Sequence, residues 1–286
     1  MKKIFIAFFA CIAAVHCFAQ KIDIVSAGTK TSLRGLSVVN DKILWVSGSG
    51  GMVGRSVNGG KTFTWMKVTG SDGMHYSKTE FRDIEAFDSL RAIIMGVDTP
   101  ALILKTVDGG NNWRVVYENK TPGMFLDAME FFNEKNGIVV GDPINNKFFI
   151  ARTDDGGNSW QEIPKENYPQ ADSGEAFFAS SGTNIRKLHK NEAVMVSGGL
   201  TSHLIRKDHK MMLPLLQGTT STGANSIAVK NFKTMMVVGG DFNKKDSIYK
   251  NCFYTTTAGR LWLAPEVPPH GYRSCVEYLG GRKWIT

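Results

Sequence analysis

The sequence predicts an all-β protein, a β-propeller in which four-stranded antiparallel blades stand around an axis. Three observations predict it. A turn octet is spelled almost twice over, T-V-D-G-G-N-N-W at 106–113 and T-D-D-G-G-N-S-W at 153–160. Apolar segments of strand length recur in phase with it, and no stretch keeps up the 3.6-residue apolar period of a long helix. A sheet of four short strands cannot bury both of its faces, whereas blades packed around an axis bury them against each other.

In chain order, residues 1–19 read as a signal peptide. Lys2 and Lys3 form a basic start, residues 4–15 an apolar run too short to span a bilayer, and Cys17-Phe18-Ala19 a small-residue cleavage site before Gln20. Lipidation of Cys17 is disfavoured by His16 before it. Residues 20–286 are then one propeller domain, exported to the periplasm or the exterior, with no later transmembrane segment. Inner strands are expected to begin at Leu33, Phe81, Phe125, Glu175, Gly223 and Tyr272, spaced 48, 44, 50, 48 and 49 residues. Five complete blades follow, about 33–67, 81–117, 125–164, 175–217 and 223–264, and a sixth begins at 272–279 and 283–286. The chain reads as C-terminally incomplete, a piece of a six- or seven-bladed protein, with residues 22–25 as the outer strand of the last blade. Edges left open are a liability that closure removes.

The repeated octet has a physical task. Asn58, Asp108 or Asp155 turns its side-chain oxygen onto nearby backbone N–H groups, and Gly60, Gly110, Gly157 and Gly259 accept the positive φ of a tight turn. Trp113, Trp160 and Trp262 open the outer strand and fill the gap between blades. The copies at Gly60 and Gly259 are worn, with Phe63 replacing Trp in one. The glycines are spaced 50, 47 and 102 residues apart, so a degenerate turn is due near 208. A calcium site at Asp154, Asp155 and Asn158 is the rival reading, and it lacks the full ligand ladder.

These S/T-x-D-G-G-x-x-W turns resemble the Asp-box, or BNR, repeat. With a strand–Gly–strand spacing near 48 residues, the chain over about 33–286 resembles the photosystem II assembly and stability-factor propellers and, more distantly, the sialidase-type propellers. The first resemblance implies a binding protein without chemistry of its own. The second implies a glycoside hydrolase, in which Tyr272 and Glu277 would be cast as nucleophile and base. Phe81-Arg82-Asp83-Ile84 matches the F-R-I-P stretch of sialidases only in part.

The formal charge of +8 becomes +6 without Lys2 and Lys3, a mild bias toward anionic partners. No dense basic block points to nucleic acid. Cys252 and Cys275, the cysteines left after the signal, are either a disulfide or two thiols packed as small hydrophobes. No phosphate loop, dinucleotide fingerprint or serine nucleophile loop is complete around Gly48–Thr62 or Asp172-Ser173-Gly174. The six histidines are scattered without H-x-x-x-H, so no metal or cofactor is expected.

One constellation remains. Inner strands lie nearest the axis, and three begin with a large residue followed by arginine, placing Arg34, Arg82 and Arg273 around the channel mouth with Asp83 and Asp127 in the next column. Guanidinium forks match carboxylates. The expected ligand is a protein, peptide or glycan with anionic groups, bound by a monomer. Long loops at 69–80, 164–174, 239–247 and 265–271, with exposed Tyr76, Tyr168 and Tyr272 near their ends, surround the mouth.

Overall fold

The computed structural model describes residues 23–25, 29–97, 99–207 and 209–286. The expected signal peptide, Ile22 and Asp208 lie outside the described residues. Blade 1 is β1 (Leu33–Val38), β2 (Leu44–Gly48), β3 (Met52–Ser56) and β4 (Thr64–Lys67). Blade 2 is β5 (Phe81–Ala86), β6 (Ala92–Gly96), β7 (Ala101–Thr106) and β8 (Arg114–Asn119). Blade 3 is β9 (Leu126–Phe131), β10 (Gly137–Ile144), β11 (Lys147–Thr153) and β12 (Gln161–Glu162). Each is an antiparallel meander in sequence order, as the repeat requires.

Blade 4 departs from expectation. The short strand β13 (Glu175–Ala176) is not its inner strand. The blade is β14 (Ile185–His189), β15 (Glu192–Val196), β17 (His203–Arg206) and β18 (His209–Met212). The ladder β13–β16 pairs Glu175 with Gly199 and Ala176 with Gly198, and β16 (Gly198–Gly199) bridges Gly223 of the next inner strand. An insertion thus pairs with the loop that follows β15, and its position mimics the repeat spacing. The turn due near 208 is present, closed by the pair Arg206 and His209, with Lys207 at φ 50°.

Blade 5 is β19 (Thr222–Val229), β20 (Met235–Asp241) and β21 (Cys252–Thr255), its fourth strand reduced to a bridge between Tyr254 and Leu263. Blade 6 shows β22 (Glu277–Gly280) and β23 (Lys283–Ile285). Residues 23–25 form no strand, because that two-stranded sheet offers them no third strand to pair with. Val25 nonetheless stands against Gly60 where residues of a preceding blade stand against the later second glycines: Met66 against Gly110, Ile93 against Gly157, Leu204 against Gly259.

Apolar burial lies in the seams between blades. One cluster joins blades 1 and 2 through Trp45, Phe81 and Trp113, and another joins blades 2, 3 and 4 through Ile93, Val139 and Ile185. Smaller clusters fill the seams of blades 4 and 5 and of blades 5 and 6. Polar groups also cross the seams. The Ala86 N–H donates to Ser37 Oγ (3.0 Å), Met129 N–H to Asp83 Oδ2 (2.7 Å), Ile227 N–H to the Thr183 carbonyl (3.0 Å) and Val276 N–H to Ser226 Oγ (2.9 Å). Lys187 Nζ donates to the Phe132 carbonyl across the remaining seam. In four of the five seams an acceptor on or beside one inner strand thus meets a backbone N–H of the next that no ladder serves.

The Asp-box turns behave as predicted. The second-glycine N–H donates to the Ser or Thr hydroxyl four residues back in all four copies: Gly60 to Ser56 (2.9 Å), Gly110 to Thr106 (3.0 Å), Gly157 to Thr153 (2.8 Å) and Gly259 to Thr255 (3.2 Å). Asn58, Asp108, Asp155 and Thr257 each accept the N–H four residues on, at 2.9–3.1 Å. Asp155 Oδ1 also accepts from Thr153 Oγ1, and its Oδ2 from Ser159 Oγ. A second turn repeats unannounced by the octets. Asn40, Asp88, Asn133 and Asn231 cap the hairpin between the first two strands of their blades. The N–H groups of Gly59, Gly109, Gly156 and Ala258 then donate to carbonyls of Lys42, Leu90, Lys135 and Lys233 in those hairpins. Both turn types are laced together on one face of the ring.

Candidate functional site

The opposite face carries the mouth, and a repeated β-bulge builds it. In β1 the register skips between Leu33 and Gly35, in β5 between Phe81 and Asp83, in β9 between Leu126 and Ala128, and in β19 between Ala224 and Ser226. The extra residues are Arg34, Arg82, Asp127 and Asn225, one each in blades 1, 2, 3 and 5. A bulge re-aims one side chain without disturbing the rest of the strand. Two of the three arginines singled out by sequence, Arg34 and Arg82, are bulge residues, which is why they share a place in space.

Arg34, Arg82, Asn225 and Asp142 line one cavity of about 540 Å³, walled by Phe125, Phe177, Phe178, Phe242 and Tyr272. Arg82 packs its guanidinium over the Phe125 ring (5.9 Å) and donates from Nη1 to the Ala179 carbonyl (3.3 Å), while its Nε stays buried without a partner. Arg34 is exposed. Asn225 is 1% exposed, and its Oδ1 accepts from Ser180 Oγ (2.9 Å) and Tyr272 Oη (2.8 Å). Two hydroxyls on that oxygen fix the amide's orientation, and its Nδ2 is a buried donor with no acceptor. Burial pushes the Tyr272 phenol up, and Arg34 acts against that. The cavity thus offers two guanidinium groups and an unused amide donor between aromatic walls.

Three expected site residues are not there. The acceptor given to Val276 comes from the residue after the Asn225 bulge, just as Met129 bonds the residue after the Arg82 bulge. Since Asp127 lies two residues before Met129, the matching position in blade 6 is Ser274. Arg273 stands one residue short, and one residue turns a side chain to the other face. It bonds Thr286 Oγ1 (3.3 Å) and the Tyr272 carbonyl (2.9 Å) instead. Asp83 is buried as the seam acceptor for Met129 and Ile84. Its carboxyl is pushed up to about 7 by burial, against those hydrogen bonds. Asp127 is wholly buried with neither oxygen hydrogen-bonded, since the nearby Asp142 N–H goes to the Phe125 carbonyl (2.9 Å). Burial and the Asp142 charge hold it well above the carboxylate range, opposed by Arg82. Asp142, which the sequence reading passed over, is raised to about 6 by burial.

The loop tyrosines also differ from expectation. Tyr76 and Tyr168 are buried, the latter against Phe149 with its hydroxyl at Glu162. Tyr272 and Glu277 do not partner each other: Tyr272 serves Asn225, and Glu277 accepts from Arg186 in the channel. Cys252 and Cys275 are free thiols.

A second polar cluster was invisible as a motif. Asp172, Glu175 and His203 converge, with His203 Nδ1 2.9 Å from Glu175 Oε1 and Nε2 3.8 Å from Asp172 Oδ2. Their geometry admits a cation, and Lys210 Nζ already supplies one, 2.6 Å from Glu175 and 2.8 Å from Asp172. Burial opposes charge on Glu175, yet bonds from His203, Lys210 and Ser197 hold it at about 2. The cluster ties the β13 insertion to blade 4.

The fold and the turns define the class, a β-propeller with Asp-box turns. No protein-family model matches the chain, and no curated protein does. Among solved structures it is similar to U3-55K, at 13% identity over 87% of this chain and 72% of that one, with a TM-score of 0.57. It is also similar to YCF48 from Cyanidioschyzon merolae (14% identity, 91% and 94% covered, TM-score 0.47) and to YCF48 bound to D1 peptide (17%, 88% and 88%, 0.45). At these identities the likeness speaks for the fold.

Proposed function

We propose that this propeller is a recognition module that takes a carboxylate-bearing peptide segment into the mouth between Arg34 and Arg82. The carrying observation is the built cavity. Two guanidinium groups line a space with phenylalanine walls, and the unused Asn225 Nδ2 lies buried in the same lining, which suits a carboxylate attached to an apolar side chain. A peptide fits the depth of apolar lining better than a glycan, whose hydroxyls would face few polar partners there. Export through residues 1–19 belongs to the same proposal and rests on the Lys2-Lys3 start, the apolar run and the small residues before Gln20.

The test is fluorescence polarisation with fluorescein-labelled peptides ending in Phe or Leu, each with a free carboxylate or a C-terminal amide. The free acids bind and the amides bind weakly. Arg34→Glu removes the preference with an unchanged melting temperature, because Arg34 is exposed. Equal binding of acids and amides, or undiminished binding by Arg34→Glu, overturns the reading.

A further inference from the structure

The octet that holds the blades is rewritten most heavily at residues 255–262, where Thr257 replaces Asp and Ala258 takes the first glycine's place at φ 58°. The same blade lacks a full outer strand, so β21 is the edge of its sheet and its outer side pairs only at Tyr254 with Leu263 (2.9 Å both ways). An open cleft of about 790 Å³ lies beside that edge, between blades 4 and 5. Met212, Tyr249 and Leu261 line it while 64%, 60% and 57% exposed, an unusual concentration of large apolar surface.

Two further observations give the cleft a chemistry. Among the described residues its lining contains Lys250 and Arg260 and no carboxylate. The Trp262 indole also lines it, and its Nε1 is a buried donor without an acceptor. In blade 2 the equivalent Trp113 donates to its own Gly110 carbonyl (3.2 Å), so the box itself can satisfy this group. The Trp160 indole, likewise unpaired, is sealed inside the core, whereas that of Trp262 borders open space.

We infer that this cleft, separate from the mouth, docks an extended peptide of proline and aliphatic residues that carries an acidic side chain. Aromatic and aliphatic walls take the apolar residues. The Trp262 indole donates to a peptide carbonyl, and Arg260 with Lys250 receives the carboxylate. An extended ligand is favoured because a carbonyl left free of internal hydrogen bonds is what an isolated indole donor needs. The absence of acidic lining residues selects the ligand's charge.

An array of fluorescein-labelled octapeptides with C-terminal amides, which the mouth takes only weakly, tests this, with proline and leucine framing a central Asp, Ser or Lys. The Asp members bind and the Lys members do not. Trp262→Phe weakens binding about fivefold, the loss of one hydrogen bond. That variant folds, because Phe63 holds the same place in blade 1, and near-ultraviolet circular dichroism checks it. Arg260→Ser abolishes the advantage of Asp over Ser, while Arg34→Glu leaves this array unchanged, which separates the cleft from the mouth. The inference is overturned if no Asp member binds with Kd below about 1 mM, if Asp and Lys members bind alike, or if both cleft variants bind as the native protein does. Co-sedimentation with phosphatidylglycerol vesicles that the Asp peptides fail to displace would overturn it in favour of a lipid surface.

Discussion

Raising the pH from 5 to 8 should weaken this protein, and Asp83 supplies the largest legible share. Its carboxyl is held at about 7 by burial, while in the unfolded chain it titrates near 3.8. A carboxyl raised on folding lends stability that is complete below the unfolded value and is lost as pH climbs through the folded one. Between pH 5 and about 7 the native state keeps a proton that the unfolded chain has released, which is worth about 3 kcal/mol for one group. Asp142, raised to about 6, acts in the same direction, as do Glu85, Asp127 and Glu130. Asp155 and Glu175, held at about 2, lose their contribution only as pH falls below their unfolded values near 4, outside this window. Thermal unfolding followed by tryptophan fluorescence at each pH unit measures the effect, with melting temperature falling by roughly 5–10 °C for a domain of this size. Asp83→Asn lowers stability at every pH, because Met129 and Ile84 donate to different oxygens of the carboxyl and the amide sets an NH2 donor opposite one of them, and it flattens the pH slope by about one proton. Stability that is flat or rising from pH 5 to 8, or a slope untouched by Asp83→Asn, refutes the reasoning.

Thr106→Val leaves the buried Gly110 N–H without its acceptor and should cost about 1–3 kcal/mol in urea unfolding, with Thr153→Val costing a similar amount at Gly157. Gly157→Ala should be far more damaging than Gly123→Ala. Both have positive φ (74° and 81°), but a Cβ at Gly157 would come within 2.3 Å of Ile93 Cδ1, whereas at Gly123 it meets open space; calorimetry of the two variants compares them directly. Cys252, with its thiol pushed up to about 11 by burial, should resist Ellman's reagent until urea unfolds the chain, while the partly exposed Cys275 reacts first.

What the sequence disclosed follows the range over which its information acts. The Asp-box turns were legible because hydroxyl, carboxylate and glycine all act within seven residues of one another. The inner strand of blade 4 was misplaced because Glu175 lies at the repeat spacing, and only long-range pairing with Gly199 shows that it belongs to an insertion. At the mouth, Arg34 and Arg82 were found from their place after a large apolar residue. Their companion Asn225 was missed because Ala224 precedes it, although the same bulge aims it. Asp83 and Asp127 were read as ligand contacts because alternation alone does not say which acids face a seam. The convergence of Asp172, Glu175, His203 and Lys210 joins residues up to 38 positions apart and has no local signature.

The two faces of this ring carry unequal burdens. Where hairpin carbonyls and Asp-box amides are stitched together, nearly every residue has a fixed duty, and a change there is felt by the whole blade. The other rim is held by bulges whose extra residue has no ladder partner, so Arg, Asp and Asn already occupy equivalent positions in blades 1, 2, 3 and 5. Selection can therefore edit the reading surface one blade at a time, leaving the stitched side to keep the shape.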